Sequence, residues 1–239
     1  MELKCDIHIH SCLSPCGSLN MSPSSIVRIA QEQKLDVIAI ADHNSALNAP
    51  ALEAACKNTP LIPLFAIEAT TSEEFHSLCL FRDSRIAVKF GNDLYSNLQS
   101  RPNIPEKFGD QVYVDENDNI LGELDKYLTG GALTYSSDEL LLMVHKAGGL
   151  FIPAHIDRAA FSMSSQLGFI PPDPYDALEI TTYPMNLNRG SIPLISNSDA
   201  HFPEEIGKRF FILETESRGS DDIFKAIKNG MSYPSIKPR

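Results

Sequence analysis

Asp6-Ile7-His8-Ile9-His10-Ser11, close to the N-terminus, is the end of a predicted β-strand. Apolar and polar residues alternate through this stretch, which is the period of a strand with two unlike faces. Residues two apart in a strand point to the same side, so His8 and His10 lie together, with Asp6 below them. Two imidazoles at this spacing can begin a metal site, because imidazole is a common ligand of divalent metals.

Four more predicted strands end in residues that can bind a metal. These residues are His43, Glu68, His155, and Asp199 with His201. The last two repeat the spacing of His8 and His10, so both can face one centre. In a closed α/β barrel the carboxyl ends of the strands meet at one mouth, where active sites are built. We therefore expect these side chains to share one site.

Predicted strands and helices alternate along most of the chain, which indicates an α/β fold with a mostly parallel sheet. A helix is expected after Ser22-Pro23, and Ser136 and Glu139 have the spacing of a capping box that begins another. The segment of about residues 82–135 interrupts this order. We interpret it as an inserted helix and hairpin that could act as a lid, within a single domain of residues 1–239.

Composition excludes some classes of function. The net charge is −11 and Lys and Arg are not clustered, so extended nucleic-acid binding is not expected. Bound cations would compensate part of this acidity. The sequence shows no signal peptide and no apolar run of membrane-spanning length, which favours a cytoplasmic location. An odd number of cysteines, five, favours reduced thiols.

The candidate ligands outnumber those that one tetrahedral ion requires, so two or three divalent ions are expected. Imidazole and carboxylate ligands suit zinc, manganese or iron, and the sequence does not choose among them. Glu68 is the carboxylate best placed to bridge two ions. His76 is a further candidate within a predicted strand at 75–81, and Asp42 could orient a neighbouring ligand. His145 lies in a predicted helix and is expected to be structural.

Taken together, these motifs resemble those of the polymerase and histidinol phosphatase (PHP) family, in the same order and over nearly the whole chain. The segments that carry the resemblance are Asp6-Ile7-His8-Ile9-His10-Ser11, Ile40-Ala41-Asp42-His43-Asn44, Ile67-Glu68, Pro153-Ala154-His155 and Asn197-Ser198-Asp199-Ala200-His201. The resemblance implies a distorted seven-stranded (β/α) barrel, similar to a TIM barrel. It also implies a trinuclear metal centre that hydrolyses phosphate esters.

The resemblance further implies how the ligands divide among three ions. The first set is His8, His10, Glu68 and Asp199, the second is Glu68, His76 and His155, and the third is His43 and His201 with a residue of the first loop. Family members commonly place Asp or His in that loop after a Ser. Here Ser14 is followed by Pro15-Cys16-Gly17, so Cys16 is the candidate for the third set. A thiolate would bias that position toward zinc.

The sequence therefore predicts a metal-dependent phosphoesterase, specifically a phosphatase of small phosphate monoesters. The metals would lower the pKa of a bound water and hold a hydroxide in line with phosphorus. Arg158, three residues after His155, is expected to bind the substrate phosphate through its forked donors. An ion pair between Arg158 and a carboxylate is the alternative for this residue.

Other functions fit parts of the pattern. An amidohydrolase also begins with His-x-His on a barrel strand, but it usually has a strand-borne lysine between its metals, and no Lys occupies such a position here. A nuclease or nucleotide phosphoesterase acting on nucleotide ends is a second alternative. A non-catalytic, metal-stabilised module is the third, and the nearly complete ligand set weighs against it.

Overall fold

A curled β-sheet organises the chain in this computed structural model, which describes residues 1–182 and 188–236. The strands are β1 (Glu2–Ile9), β2 (Val37–His43), β3 (Ile62–Thr70), β4 (His76–Phe81), β5 (Val112–Val114), β6 (Ile120–Glu123), β7 (Leu150–Pro153), β8 (Leu178–Glu179), β9 (Leu194–Ile195), β10 (Phe211–Glu214) and β11 (Ser232–Pro234). The main sheet has seven strands in the order β11-β10-β1-β2-β3-β4-β7. This architecture confirms the expected distorted barrel.

Helices cover both faces of the main sheet. They are α1 (Pro23–Glu32), α2 (Ala49–Cys56), α3 (Ser84–Ser96), α4 (Pro105–Phe108), α5 (Ser137–Lys146), α6 (Met163–Leu167) and α7 (Ser220–Lys228). Ser22 accepts a hydrogen bond from the Ser25 amide at the start of α1, and Ser136 and Glu139 form the expected capping box at α5. Among the described helices, none is both long and apolar enough to span a bilayer.

The directions of the strands differ from the expected, mostly parallel sheet. β1, β2 and β3 are parallel, whereas the β3–β4, β4–β7, β1–β10 and β10–β11 pairs are antiparallel. The cause at β4 is the length of its connection. Residues 71–75 join β3 to β4, and a link this short closes a hairpin but cannot make the crossover that a parallel strand requires.

The parallel centre of the sheet directs strand ends toward one edge. Every residue of β2 is buried, as its continuous apolar run predicts. The β1–β2 register shifts between Asp6 and Ile9, and such an irregularity can re-aim the side chains between them. Beside β1, the short parallel pair β8–β9 and the bridge between Ile9 and Ala200 bring the later strand ends to the same edge.

Two apolar clusters stabilise the opposite faces of the sheet. One contains Leu3, Leu64, Leu80 and Phe211 together with Ile223 of α7. The other joins the sheet to α1, α2, α3 and α5, through the buried side chains Ile26, Leu52, Phe90 and Leu140. Burial of this apolar area is the main favourable term in folding and holds the strand ends in place.

The segment 82–135 contains α3, α4 and the β5–β6 hairpin. It is tied to the loop that follows β2. The side-chain Oδ1 of Asn48 accepts a hydrogen bond from the Val114 amide at 2.9 Å, and the Asn44 side chain donates to the Leu128 carbonyl at 2.9 Å. A role for this segment as a lid stays a prediction.

Candidate metal centre

The carboxylate of Glu68, at the end of β3, is buried among five imidazoles. The shortest distances from its oxygens to a ring nitrogen are those to His8 (3.4 Å), His10 (3.2 Å), His43 (3.1 Å), His76 (2.9 Å) and His155 (2.9 Å). His8, His43 and His76 lie in three different strands, and His10 and His155 follow β1 and β7, so only the fold brings them together. Glu68 therefore lies at the centre of the cluster, and its role as a bridge between two ions stays a prediction.

Asp199 supplies the second carboxylate of the cluster. Its Oδ1 lies 3.2 Å from His8 Nε2 and 3.0 Å from His10 Nε2. His201 lies beside it: the His201 Nδ1 is 2.9 Å from the Asp199 carbonyl oxygen, and its ring centroid is 4.2 Å from that of His10. All the strand-end residues that the sequence nominates thus meet at one site.

Three overlapping groups of side chains place their ligand atoms within 4.8 Å of one another in the described residues. They are His8, His10, Glu68 and Asp199; His43, Glu68 and His76; and His10, Cys16, His43 and His201. The first group equals the first expected set. The second contains His43 where His155 was expected, although His155 also contacts Glu68. The third places Cys16 with His43 and His201, as the resemblance implies.

The cluster fits divalent metal ions, because several of its buried polar atoms have no hydrogen-bond partner. Such atoms are His8 Nε2, His43 Nδ1, Glu68 Oε2 and His155 Nδ1. Leaving a polar atom buried and unsatisfied is costly, and a metal ion is the partner that imidazole nitrogens and carboxylate oxygens share.

Charges within the cluster move pKa values in opposite directions. Burial opposes the protonation of His10, but hydrogen bonds to Asp199 and Glu68 outweigh it and raise the His10 pKa to about 9. Burial lowers the pKa of His43 well below its usual value. Burial would raise the pKa of Glu68, but the surrounding imidazoles, His76 foremost, hold that pKa well below its usual value. Glu68 is therefore an ionised, acceptor-only group.

Glu179, in β8, orients the cluster and was not nominated from the sequence. Its carboxylate lies 3.0 Å from His8 Nδ1, and it accepts hydrogen bonds from the His155 amide at 2.9 Å and from the Asn197 side chain at 2.8 Å. A carboxylate on Nδ1 fixes the ring so that the other nitrogen, Nε2, faces the site. The only signal in the sequence was an acidic residue between the apolar residues Leu178 and Ile180.

Asp42 supports the cluster indirectly. It is fully buried, and its carboxylate accepts hydrogen bonds from the Ser11 amide and the Ser14 hydroxyl, both at 2.7 Å. The Ser14 hydroxyl in turn lies 2.9 Å from His10 Nδ1. Asp42 thus positions His10 through Ser14, which agrees with an orienting role, and it makes no described contact with the other imidazoles.

Two residues of the cluster hold unusual backbone conformations. His155 has a φ of 32° and Asp199 a φ of 53°, in the left-handed region that residues other than glycine rarely adopt. Such strain persists only where the surrounding structure enforces it, and it concentrates at functional sites. The backbone here turns sharply at each strand end, which aims both side chains into the cluster.

The remaining predicted residues lie at the rim or outside the site. An Arg158 guanidinium nitrogen is 2.6 Å from Asp199 Oδ2, and the side chain is partly exposed. Cys16 is exposed. His145 lies outside all three groups and pairs with Asp176 at 2.7 Å, as its expected structural role requires.

Solved structures share this fold over almost the whole chain. The lesion-specific endonuclease PfuEndoQ from Pyrococcus furiosus matches with a TM-score of 0.68 at 19% identity, over 98% of this chain and 58% of that one. Endonuclease Q in complex with a 27-mer duplex substrate, with an abasic lesion at the active site, has a TM-score of 0.63 at 19% identity, over 96% and 57%. A two-domain protein from Bacteroides vulgatus containing a predicted PHP-like metal-dependent phosphoesterase has a TM-score of 0.59 at 14% identity, over 99% and 65%.

These matches bear on length and on substrate. This chain spans less than two thirds of each of the three proteins. The prediction of a small phosphorylated partner, with extended nucleic-acid binding unlikely, is wrong: Endonuclease Q, which shares the fold, is in complex with a 27-mer duplex substrate. The physical reason is that the net charge describes the whole surface, whereas phosphate binding depends on the local field, to which bound cations contribute most.

Family models account for most of the chain. Among curated proteins, none matches it significantly. The model of the PHP domain matches residues 6–166, which include β1 to β7 and the ligand candidates from His8 to His155. The model of the PHP-associated region matches residues 186–232, which include Asp199 and His201. The chain belongs to the PHP domain family of metal-dependent phosphoesterases.

Proposed function

We propose that this chain hydrolyses phosphodiester bonds of nucleic acid at the Glu68-centred site. The observation that carries the proposal is the set of buried, unpartnered ligand atoms on His8, His43, Glu68 and His155, with the Arg158 guanidinium at the rim. With divalent ions bound, such a site would concentrate positive charge where a phosphate would sit. The likeness in fold to an endonuclease over 98% of the chain supports a nucleic-acid substrate.

We assign two or three divalent ions, zinc, manganese or iron, to the three groups of ligand atoms. Bound there, such ions would lower the pKa of a coordinated water and neutralise charge on phosphoryl oxygens. Glu68 and Asp199 supply the anionic ligands, and the imidazoles supply neutral ones. Glu179 and Asp42 hold His8 and His10 in the orientations that face the ions, which keeps the site preorganised for the reaction.

Arg158 completes the phosphate site. One of its nitrogens contacts Asp199, and no other contact of the guanidinium is found within residues 1–182 and 188–236. Guanidinium presents a planar fork of N–H donors that matches two phosphate oxygens. Asp199 holds one arm of the fork, and the other donors remain to orient the scissile phosphate.

Hydrolysis of labelled oligonucleotides tests the proposal. The protein is stripped with chelator, reloaded with Mn²⁺ or Zn²⁺, and mixed with single-stranded, duplex and abasic-site oligonucleotides, whose products are separated by length. Metal-dependent cleavage is expected, and the product lengths distinguish cleavage at ends from internal cleavage. His76→Gln should lose activity, whereas His145→Gln, which lies outside the cluster, should retain it. Failure of the reloaded protein to cleave any of these substrates would overturn the proposal.

A further inference from the structure

An exposed phenylalanine lies directly against the metal centre. The ring of Phe161 is stacked on that of His76, with centroids 5.1 Å apart and planes 11° from parallel. His76 Nδ1 in turn contacts Glu68 at 2.9 Å. Phe161 is 54% exposed, so one side of its ring covers a candidate ligand while much of the residue faces solvent. A large apolar ring in that position offers an open face beside the place where a phosphate would sit.

The backbone holds Phe161 in a fixed and unfavourable conformation. Its φ is 52°, which is a marked exception for a bulky residue. The Phe161 carbonyl accepts a hydrogen bond from the His76 amide at 3.0 Å. The next residue, Ser162, is buried and donates to the Arg158 carbonyl at 2.6 Å while it caps α6. The same short loop therefore carries both Arg158 and Phe161, and its hydrogen bonds hold the backbone of both residues.

We propose that Phe161 is a stacking platform for an unpaired nucleobase next to the scissile phosphate. This rests on the proposed function, because it assigns the neighbouring subsite of the same centre. Bases stack on aromatic faces regardless of sequence, and this contact supplies affinity without basic side chains. Phe161 would add such a contact beside the Arg158 guanidinium, whose nitrogen lies 2.6 Å from Asp199. The substrate class is then nucleic acid with a base that is single-stranded or turned out of its duplex.

The alternative is that Phe161 only shields His76 from water. An aliphatic side chain would shield equally well, so Phe161→Leu separates the two roles, while Phe161→Tyr keeps the aromatic face. Phe169, also exposed but absent from the ring contacts of the cluster, provides the matched control as Phe169→Leu.

The test compares a single-stranded oligonucleotide with the same strand carrying base-free nucleotides on both sides of the cleaved phosphate. The readout is the kcat/KM for the strand that carries all its bases divided by the kcat/KM for the strand with base-free nucleotides. We expect Phe161→Leu to lower this ratio by roughly tenfold to a hundredfold. Phe161→Tyr and Phe169→Leu should keep most of it. A wild-type ratio near one, or equal losses on both strands in Phe161→Leu, would overturn the stacking role.

If neither strand is cleaved, the proposed function fails, and binding still decides the role of Phe161. Fluorescence anisotropy of the same labelled strands gives Kd for wild type and Phe161→Leu in the presence of Mn²⁺. Weaker binding of the base-free strand to wild type, with the difference lost in Phe161→Leu, would support stacking. Equal binding of both strands by wild type would exclude it.

Discussion

His43 and Glu68 are paired in the parallel register of β2 and β3, and His43 Nδ1 lies 3.1 Å from Glu68 Oε2. The two residues follow apolar runs of adjacent strands, so the register alone sets their side chains next to each other. Burial lowers the His43 pKa well below its usual value, which keeps the ring neutral and able to bind a metal. The pairing of β2 and β3 is thus sufficient to place His43 next to Glu68, without any contribution from a loop.

Glu68→Gln should remove most of the bound metal. Gln has nearly the same shape but no charge, and Glu68 is the carboxylate that contacts five imidazoles. We expect at least a roughly tenfold loss of metal affinity, together with loss of activity. Elemental analysis of protein purified without chelator measures the effect.

Glu73→Gln is the matched control for that change. Glu73 accepts hydrogen bonds from the Ser137 amide and lies outside all three ligand groups. It should keep the full metal content. Equal metal content in Glu68→Gln and wild type would contradict a bridging role for Glu68.

Glu179→Gln should weaken the site without removing a ligand. Both Glu179 oxygens accept hydrogen bonds, one from the Asn197 side chain and the other from the His155 amide. In the Gln variant, the side-chain NH₂ would face one of these N–H donors. His8 would also lose the carboxylate that orients its ring. We expect metal affinity or activity to fall roughly tenfold to a hundredfold. Competition with a metal-binding dye measures affinity, and unchanged affinity together with unchanged activity would show that the contact is dispensable.

Some of this centre could be predicted from local patterns. The spacing of His8 and His10 and the position of Glu68 after an apolar run follow from strand periodicity, which operates within a few residues. Glu179 shows the limit of that argument. It lies between the buried residues Leu178 and Ile180, where alternation favours a solvent-facing carboxylate. Its contact with His8 joins residues 171 positions apart in sequence, and only the closed fold creates it.

The strand directions show a second limit. Apolar runs predict the strands β3 and β4. The alternation of strands and helices predicts that they are parallel, but they are antiparallel in the structure. The short link over residues 71–75 required an antiparallel pair and places His76 beside Thr70 in the register. That hairpin turns the His76 ring toward Glu68, whereas the sequence pattern left open a solvent-facing side chain.

Cys16 should bind the ion held with His43 and His201. It is the one exposed thiol of the five, so an alkylating reagent added to the native protein reports on it selectively. Burial and the nearby Glu68 raise the pKa of the Cys16 thiol, so we expect modification of the chelator-treated protein to become faster with rising pH, and protection after Zn²⁺ is added. Cys16→Ser should lower the metal content by up to one ion per chain. Equal modification with and without Zn²⁺, together with unchanged metal content in Cys16→Ser, would exclude Cys16 as a ligand.

The metal-free protein should lose stability as the pH rises from 6.5 to 9. The His10 pKa is raised to about 9 in the folded state, from a usual value of 6.5. Below pH 6.5 both states are protonated and the stabilisation from Asp199 and Glu68 is fully present; it disappears as the pH rises through about 9. This shift corresponds to a decrease on the order of 3 kcal/mol in the free energy of unfolding.

Urea denaturation in chelator at several pH values in this range measures that decrease. His10→Gln should have a shallower slope than wild type, because it cannot take up the proton. Glu179, Asp199 and Glu68 also raise the pKa of His8 well above its usual value, so His8 adds to the decrease, and the difference between wild type and His10→Gln gives the part due to His10. The lowered pKa of His43 has its effect below pH 6.5. A free energy of unfolding that is constant or increases between pH 6.5 and 9 would contradict the assigned direction for His10.

Arg158→Ala should impair catalysis and leave metal content intact. Arg158 contacts Asp199 Oδ2 at 2.6 Å, whereas Asp199 Oδ1 faces His8 and His10, so the guanidinium and the ligand cluster use different oxygens. Loss of the guanidinium should lower kcat/KM roughly tenfold to a thousandfold, or about 1.4–4 kcal/mol. If the contact with phosphate tightens during the reaction, kcat falls along with kcat/KM; if it is equally strong in the ground state, mainly KM rises.

Arg158→Lys tests the geometry of that contact. Lysine keeps the charge but not the planar fork, so it should restore only part of the activity if two phosphate oxygens are bound. Arg28→Ala, which removes an exposed arginine from the α1 surface, is the control for general loss of positive charge. Steady-state kinetics and elemental analysis on the same preparations separate the two roles of Arg158. Reduced metal content in Arg158→Ala, with activity recovered by excess Mn²⁺, would assign the residue to holding Asp199 and not to phosphate.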